Sequence, residues 1–232
     1  PINPPPTTDI YTNTESSAAS DVYKRQIFEY IELPHDEFEV HHLDWFLPPS
    51  GADLTDYARM MAERVTHDDP VLIGVSFGGM LVQEMARFLN PRKLIIISSI
   101  KCRDEMPRRL WIARYTRLHR LLPTGAIQNL ESLTRFAFGD AVRKRLKLYE
   151  RYLGMRDKEY LDWALEAIVH WERETPEPGL IHIHGDQDAV FPITHLGSCL
   201  CVEGGTHTMI IHRYKWFNER LPAIILEEAG SI

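Results

Sequence analysis

One serine of the chain lies among closely spaced glycines, in the run Gly74-Val75-Ser76-Phe77-Gly78-Gly79. An apolar run precedes it and a helix-like segment follows, so the sequence predicts a strand, a tight turn and a helix, which we call the elbow. The small glycines allow strand and helix to approach each other while the serine takes strained backbone angles. Its hydroxyl would lie at the positive end of a helix, which suits a developing oxyanion. A glycine-rich turn of another α/β protein, or a phosphate-binding loop, fits the same pattern.

Two later turns carry the side chains that a serine nucleophile needs as partners. The acid turn, His184-Gly185-Asp186-Gln187-Asp188, follows an apparent strand and bears two carboxylates. The histidine turn, Gly204-Gly205-Thr206-His207, presents one imidazole before the last predicted helix. An imidazole can take the serine proton as general base and return it to the leaving group, while a carboxylate orients the ring. These residue types therefore indicate nucleophilic catalysis by a serine.

The three motifs, in the order serine, acid, histidine, resemble those of the α/β-hydrolase family, and the resemblance covers about residues 38–228. It implies that Ser76 is the nucleophile, Asp188 the acid and His207 the base, and that the Phe77 backbone N–H holds the oxyanion. It also implies a small-molecule carboxylic ester or thioester as substrate, cleaved through an acyl-enzyme without a metal or an organic cofactor. The alternative is a non-catalytic or truncated member of the family that only binds.

The acid turn allows two other interpretations. Asp186 competes with Asp188 for the role of the acid, but the spacing that the family keeps after the glycine selects Asp188 and leaves Asp186 as a turn-capping carboxylate. The spacing His182-x-His184-x-Asp186 is also found among metallohydrolase ligands. A zinc site takes three or four protein ligands, and no second His/Asp cluster of matching spacing appears in the sequence. We therefore expect packed histidines and no metal at this turn.

Strand-like and helix-like segments alternate around these motifs. Asp53 is the expected N-cap of the first helix, and Met80 and Met85 are expected core residues of the elbow helix. The alternation predicts an α/β fold with a mostly parallel sheet and helices on both faces. The predicted strands are residues 38–43, 71–75, 94–97, 180–184 and 198–202, and the predicted core helices are about 54–65, 77–89 and 213–228.

The segment 103–175 contains no convincing strand. We interpret it as a helical cap or lid between two parts of the core, residues 27–102 and 176–232. His170 and Trp171 near its end are expected to pack against other helices rather than to face the serine. Helix-like stretches within the segment fall near residues 107–122, 129–138, 140–154 and 158–173.

Charge is unevenly distributed along the chain. Residues 101–158 contain fifteen Lys and Arg against six Asp and Glu, although the whole chain has a formal net charge of −7. We interpret this basic segment as solvated helix faces rather than a nucleic-acid surface, because neither a known binding motif nor interleaved stacking aromatics accompany it.

Composition is typical of a soluble globular domain, with 232 residues, 44% hydrophobic and 25% charged. The apolar runs are too short to span a bilayer, and the first residues do not resemble a secretory signal. Three cysteines, an odd number without a framework spacing, favour a reduced and hence cytoplasmic setting. The sequence leaves the oligomeric state open.

Residues 1–26 are expected to be a disordered or foreign segment. They are rich in Pro and then in Ser, Thr, Asn and Ala. Residues 16–26 resemble translated read-through of a sequencing adapter, which would mean that the true N-terminus is lost, and the alternative interpretation is a natural low-complexity extension. No glycine precedes Gly51, so the early strand and the glycine-containing loop that give the family its second oxyanion donor are expected to be missing or overwritten by residues 1–26. Loss of one such donor costs about 10²–10³ in rate, which predicts impaired catalysis.

Overall fold

Six parallel strands form one sheet in the computed structural model, which describes residues 7–14, 27–116 and 158–227. The strands are β1 (Thr8–Thr14), β2 (Phe38–Asp44), β3 (Val71–Val75), β4 (Lys93–Ile97), β5 (Ile181–Gly185) and β6 (Leu200–Val202). Their order across the sheet is β2-β1-β3-β4-β5-β6, and every neighbouring pair is parallel.

Helices follow most of these strands. The first begins where the sequence predicts, because the Asp53 side chain accepts the Asp56 backbone N–H at 2.8 Å and forms a capping box with it. The helices of the described residues are α1 (Leu54–Ala62), α2 (Phe77–Met85), α3 (Arg108–Thr116), α4 (Lys158–Val169), α5 (Met209–His212) and α6 (Tyr214–Leu226). Short 3₁₀ turns occupy Arg103–Glu105 and Ile193–His195.

The sheet is covered by apolar side chains on both faces. Every residue of β3 and β4 is buried, as expected for central parallel strands. Leu72 and Ile96 pack in one apolar cluster with α1 and α2, whereas Ile73 and Ile95 pack in a second cluster with α6. Met80 of α2 is fully buried, as is Met85. The predicted α/β fold with helices on both faces of a parallel sheet is confirmed.

The described parts of the predicted cap are mainly helical. Helices α3 and α4 lie within residues 103–175, and Trp163 of α4 donates its indole N–H to the Ala52 carbonyl at 2.8 Å. The helices predicted at residues 129–138 and 140–154 lie outside the described residues. The division into core and cap remains a prediction. No described helix is long and apolar enough to cross a membrane.

Strand β1 corrects the prediction that residues 1–26 are disordered. Residues Thr8–Thr14 pair in register with Phe38–Asp44 of β2, and Ile10 to Thr12 pair with β3. Ile10 is fully buried and Tyr11 almost so. Composition hides this strand because its threonines, isoleucine and tyrosine are good strand formers that sit in a Ser- and Pro-rich neighbourhood. Residues 1–6 and 15–26, including the adapter-like run, lie outside the described residues.

Candidate active site

The elbow holds Ser76 in a strained conformation between β3 and α2. Its φ of 55° lies in the left-handed region and costs about 1–3 kcal/mol for a non-glycine residue. Two hydrogen bonds oppose that strain: the Ser76 N–H donates to the Ile97 carbonyl at 2.9 Å, and the Ser99 hydroxyl donates to the Ser76 carbonyl at 2.7 Å. At Gly74 a Cβ would lie only 2.2 Å from the Gly78 carbonyl oxygen, so no other residue fits there. The predicted strained turn is present.

Residues 76, 188 and 207 meet at the carboxyl end of the sheet. The Ser76 Oγ lies 2.9 Å from His207 Nε2, and His207 Nδ1 lies 2.8 Å from Asp188 Oδ2. The other carboxylate oxygen of Asp188 accepts the backbone N–H groups of Val190 at 2.7 Å and Phe191 at 3.0 Å. These three side chains therefore form a hydrogen-bonded chain whose far end is fixed by the acid turn.

The charges and hydrogen bonds around these three side chains determine which of their atoms carry protons. Burial alone would raise the pKa of Asp188, but His207, its hydrogen bond, His184 and the Phe191 N–H together lower that pKa below its usual value. Asp188 is consequently ionised at neutral pH and can only accept hydrogen bonds. His207 must then carry its proton on Nδ1, and its Nε2 presents a lone pair to the Ser76 hydroxyl. This is the protonation state in which an imidazole can act as a base.

Asp186, the other carboxylate of the acid turn, lies outside the hydrogen-bonded series Ser76–His207–Asp188. Asp186 is exposed at the tip of the turn, whereas Asp188 is only 4% exposed and contacts His207. Among the described residues, the groups of the His182-x-His184-x-Asp186 spacing do not come together as possible metal ligands. The structure thus brings Asp188, and not Asp186, to the imidazole.

A second pair of histidines lies behind Asp188, and sequence reasoning missed its part in the site. His184 Nε2 donates to the Phe191 carbonyl at 2.8 Å and lies 3.5 Å from Asp188 Oδ2. His184 Nδ1 must then accept from His182 Nε2, 3.2 Å away. Burial, and next the neighbouring His184, lower the pKa of His182 to about 3, and burial also lowers the pKa of His184. Two histidines spaced i, i+2 on a strand were the available signal for such a pair.

One cation of the basic segment, Arg109, contacts the acid turn and so departs from the interpretation of this segment as solvated helix faces. Arg109 of α3 donates to the carbonyl oxygens of Val190 at 2.6 Å and Ala189 at 3.2 Å, next to Asp188. Burial lowers the pKa of Arg109, and attraction to Asp188 opposes that shift. Lys101, the first cation of the segment, is buried, whereas Arg109 is partly buried. No sequence pattern distinguishes these two cations from the exposed ones around them.

Aromatic side chains form an apolar wall beside the elbow. Phe77 opens α2, so its N–H has no acceptor within the helix and remains the predicted oxyanion donor. Its ring stacks on Trp45, with centroids 5.4 Å apart, and meets Trp163 of α4 edge to face at 5.9 Å. Tyr160 of α4 packs against Trp45 in the same way, at 5.7 Å. Helix α4 therefore packs one aromatic ring against Phe77 of the elbow and a second against Trp45.

Strand β1 bears directly on the predicted second oxyanion donor. It runs parallel to β3, with Thr12 opposite Ile73, so the two strands end at the same edge of the sheet. Strand β1 therefore ends at Thr14, at the edge of the sheet where β3 leads into the elbow. The prediction that the early strand is missing is wrong. The loop after it, residues 15–26, lies outside the described residues.

His170 and Trp171 lie at a separate cavity. Trp171 is buried and donates its indole N–H to Glu84 at 3.0 Å, and the exposed His170 lies with its Nδ1 3.0 Å from the Glu166 carbonyl. Both residues line a cavity of about 790 Å³ whose lining does not include Ser76. The contact of Trp171 with Glu84 of α2 agrees with its expected role in helix packing, whereas the cited contact of His170 is with its own helix.

Comparisons with known proteins point to one family. The family model described as the alpha/beta hydrolase family matches residues 19–220. Solved structures with the same fold include an esterase from Thermogutta terrifontis, with 14% identity, a TM-score of 0.65 and coverage of 94% of this chain and 90% of that one. A hydrolase from Pseudomonas aeruginosa PA01 has 13% identity and a TM-score of 0.63, with 95% and 91% of the two chains covered.

A third such structure is the 2-hydroxy-6-oxo-6-phenylhexa-2,4-dienoate hydrolase from Rhodococcus sp. strain RHA1. It has 13% identity and a TM-score of 0.61, with 95% of this chain and 91% of that one covered. At these identities the similarity shows a shared fold. No curated protein matches the chain.

Proposed function

The chain belongs to the alpha/beta hydrolase family, and from that premise we propose that it is a serine hydrolase that cleaves a small-molecule carboxylic ester or thioester. The observation that carries the proposal is the hydrogen-bonded chain from Ser76 through His207 to Asp188, with links of 2.9 and 2.8 Å. A nucleophile within reach of a base, and a base oriented by a third group, is the arrangement of nucleophilic catalysis.

Acylation begins at the Ser76 hydroxyl. Its Oγ attacks the carbonyl carbon of the substrate while the Oγ proton moves to His207 Nε2. Ionised Asp188 stabilises the imidazolium that forms, and the Phe77 N–H donates to the oxyanion. The tetrahedral intermediate then collapses, because His207 returns the proton to the departing alcohol or thiol. The product of this half-reaction is an ester between Ser76 and the acyl group.

Deacylation repeats these steps with water. His207 Nε2 takes a proton from water as the hydroxide attacks the acyl carbonyl, and the same N–H then protonates Ser76 Oγ as it leaves. The carboxylic acid is released and the serine is restored. A serine nucleophile is also why we do not propose dehalogenase or epoxide hydrolase chemistry, since those reactions use a carboxylate nucleophile.

The described residues provide one candidate oxyanion donor, the Phe77 N–H, and the family resemblance assigns the second donor to the segment that follows β1. No glycine occurs in that segment, so we expect turnover about 10²–10³ below that of a version in which a glycine-containing loop follows Thr14. Ester hydrolysis by the two versions tests this. Equal rates would show that the present segment already supplies a donor.

Covalent labelling tests the proposed function directly. A fluorophosphonate should modify the folded protein at Ser76, and Ser76→Ala should abolish both the labelling and the hydrolysis of p-nitrophenyl esters. Ser198→Ala, which alters an exposed serine, is the matched control and should label as the unmodified protein does. A folded protein that resists the reagent would overturn the proposal and favour a non-catalytic binding protein of the same fold.

A further inference from the structure

Three side chains that commonly ligate metals converge at the β1–β2 side of the sheet, on segments that the proposed catalytic chain does not use. They are Asp9 of β1, His41 of β2 and His67 of the loop between α1 and β3, and their ligand atoms all lie within 4.8 Å of one another. The described residues contain no second group of three side chains placed to ligate a metal ion. We infer that these residues form a binding site for one divalent cation of the zinc class.

The distances in the cluster suit a tetrahedral ion. Asp9 Oδ1 lies 3.0 Å from His41 Nε2 and 3.7 Å from His67 Nδ1. Bonds of about 2.0–2.2 Å at a tetrahedral angle put ligand atoms about 3.3–3.5 Å apart. The two observed distances lie on either side of that value, and all three ligand atoms lie within 4.8 Å of one another, so side-chain shifts of the order of 1 Å would bring them onto one ion.

The Tyr11 hydroxyl lies beside the cluster and can change its hydrogen-bond partner. It accepts the Thr66 backbone N–H at 3.2 Å and lies 2.5 Å from His67 Nδ1 and 3.3 Å from the Thr66 hydroxyl. When His67 Nδ1 ligates an ion, its lone pair is used for that bond, and the tyrosine hydrogen can be donated to the Thr66 hydroxyl. Tyr11 therefore keeps its hydrogen bonds when the ion binds.

The donor set selects the class of ion. Two imidazoles and one carboxylate suit zinc and its transition-metal neighbours, whereas magnesium and calcium prefer oxygen ligands. The His67 side chain is 41% exposed, which gives the ion a path from solvent. The fourth position would be taken by water or by Glu39, whose Oε1 lies 3.7 Å from His41 Nε2.

An ion here would join three separate segments of the chain. It would tie β1 to β2 and to the loop that leads into β3, the strand that carries the elbow. Because the unfolded chain does not hold these ligands together, binding would stabilise the folded state. The expected role is structural, and the inference does not depend on the proposed hydrolase activity.

Zinc binding by the full chain tests the site. The protein is stripped with EDTA, dialysed into chelator-free buffer and titrated with ZnCl₂ by calorimetry and by thermal denaturation. We expect one equivalent to bind with micromolar or tighter affinity and to raise the melting temperature. His67→Ala and Asp9→Asn should each weaken binding by at least about tenfold. His195→Ala, which removes an exposed histidine elsewhere, should bind zinc as the unmodified chain does.

Cobalt titration of the unmodified chain keeps the test valid if a variant fails to fold. Tetrahedral Co²⁺ with imidazole ligands gives intense visible d–d bands, and ZnCl₂ should displace them. No stoichiometric zinc binding, or equal binding by the unmodified chain, His67→Ala and Asp9→Asn, would overturn the inference. A loss of binding in His195→Ala as large as that in His67→Ala would also overturn it, since the zinc would then be held at surface histidines.

Discussion

Two of the histidine–aspartate pairs among the described residues have similar lengths and very different surroundings. His207 Nδ1 lies 2.8 Å from Asp188, and His41 Nε2 lies 3.0 Å from Asp9. The Asp188 side chain is fully buried, whereas that of Asp9 is 20% exposed. The buried pair belongs to the proposed catalytic site and the open pair to the proposed zinc site.

The two pairs differ in the further contacts that their carboxylates and imidazoles make. In the buried pair the second carboxylate oxygen of Asp188 is held by two backbone N–H groups, and the second nitrogen of His207 faces Ser76. In the open pair, one oxygen of Asp9 faces two imidazoles, those of His41 and His67, which lie 4.7 Å apart by their ring centroids. A fixed acid and an imidazole nitrogen next to a hydroxyl suit proton transfer, whereas a carboxylate and two imidazoles that converge on one point suit a cation.

The largest expected effect separates the two histidines by activity. His207→Ala should lower kcat by about 10⁴–10⁶-fold, because no other described group can take the Ser76 proton. His41→Ala should instead lower the melting temperature, with kcat per folded molecule reduced by less than about tenfold. Ester hydrolysis and thermal denaturation of both variants provide the measurements, and His195→Ala serves as the unaffected reference. A greater loss of kcat in His41→Ala than in His207→Ala would reverse the comparison.

The next effect separates the two acids. Asp188→Asn should lower kcat by about 10³–10⁴-fold, because the amide cannot hold His207 in the tautomer that presents Nε2 to Ser76. The amide oxygen can still accept the two backbone N–H groups, so the fold should survive. Asp9→Asn should change zinc affinity and stability far more than kcat. Near-normal kcat in a folded Asp188→Asn variant would remove Asp188 from the mechanism.

The sequence predicted the parts of the site that are local in the chain. The apolar runs predicted β3 and β4 to within one residue, and the elbow and both turns stand where their glycines indicated. The sequence did not predict β1, because an interior strand buries threonine and tyrosine as readily as leucine. The ligands at positions 9, 41 and 67 meet only through the order of the strands, and Arg109 reaches the acid turn through the packing of α3. Such contacts leave no periodic signal.

The free energy of unfolding at acid pH tests the surroundings of the buried pair, because His182 lies behind Asp188. His182 has its pKa lowered to about 3, so the unfolded chain binds a proton below about pH 6.5 that the folded chain does not. Stability from this residue is therefore present above about pH 6.5 and is lost as the pH falls toward 3. Between pH 7 and 4 the loss should be about 3 kcal/mol.

His182→Gln removes that proton site while leaving Asp188 and His184 in place. Urea denaturation at several pH values should give the variant a free energy of unfolding that falls less steeply with acid, by about 3 kcal/mol over the same range. The slope is the informative quantity, since the substitution also alters packing. Parallel curves for the two proteins would mean that His182 does not oppose protonation in the folded chain.

The smallest expected effect concerns the open pair without metal. A double-mutant cycle of His41→Ala and Asp9→Ala in EDTA should give a coupling free energy of about 0.2–1 kcal/mol, because water reaches both groups and screens their interaction. In the Asp9→Ala variant the Glu39 carboxylate, 3.7 Å from His41, would interact with the imidazole in place of Asp9. This substitution of partners keeps the coupling free energy small. Zinc should raise the coupling, since removal of either ligand then also weakens a shared ion. A coupling free energy above about 2 kcal/mol in EDTA would mean that the pair stabilises the contact between β1 and β2 without a metal ion. The open and the buried pair would then differ in their location in the fold rather than in the strength of their interaction.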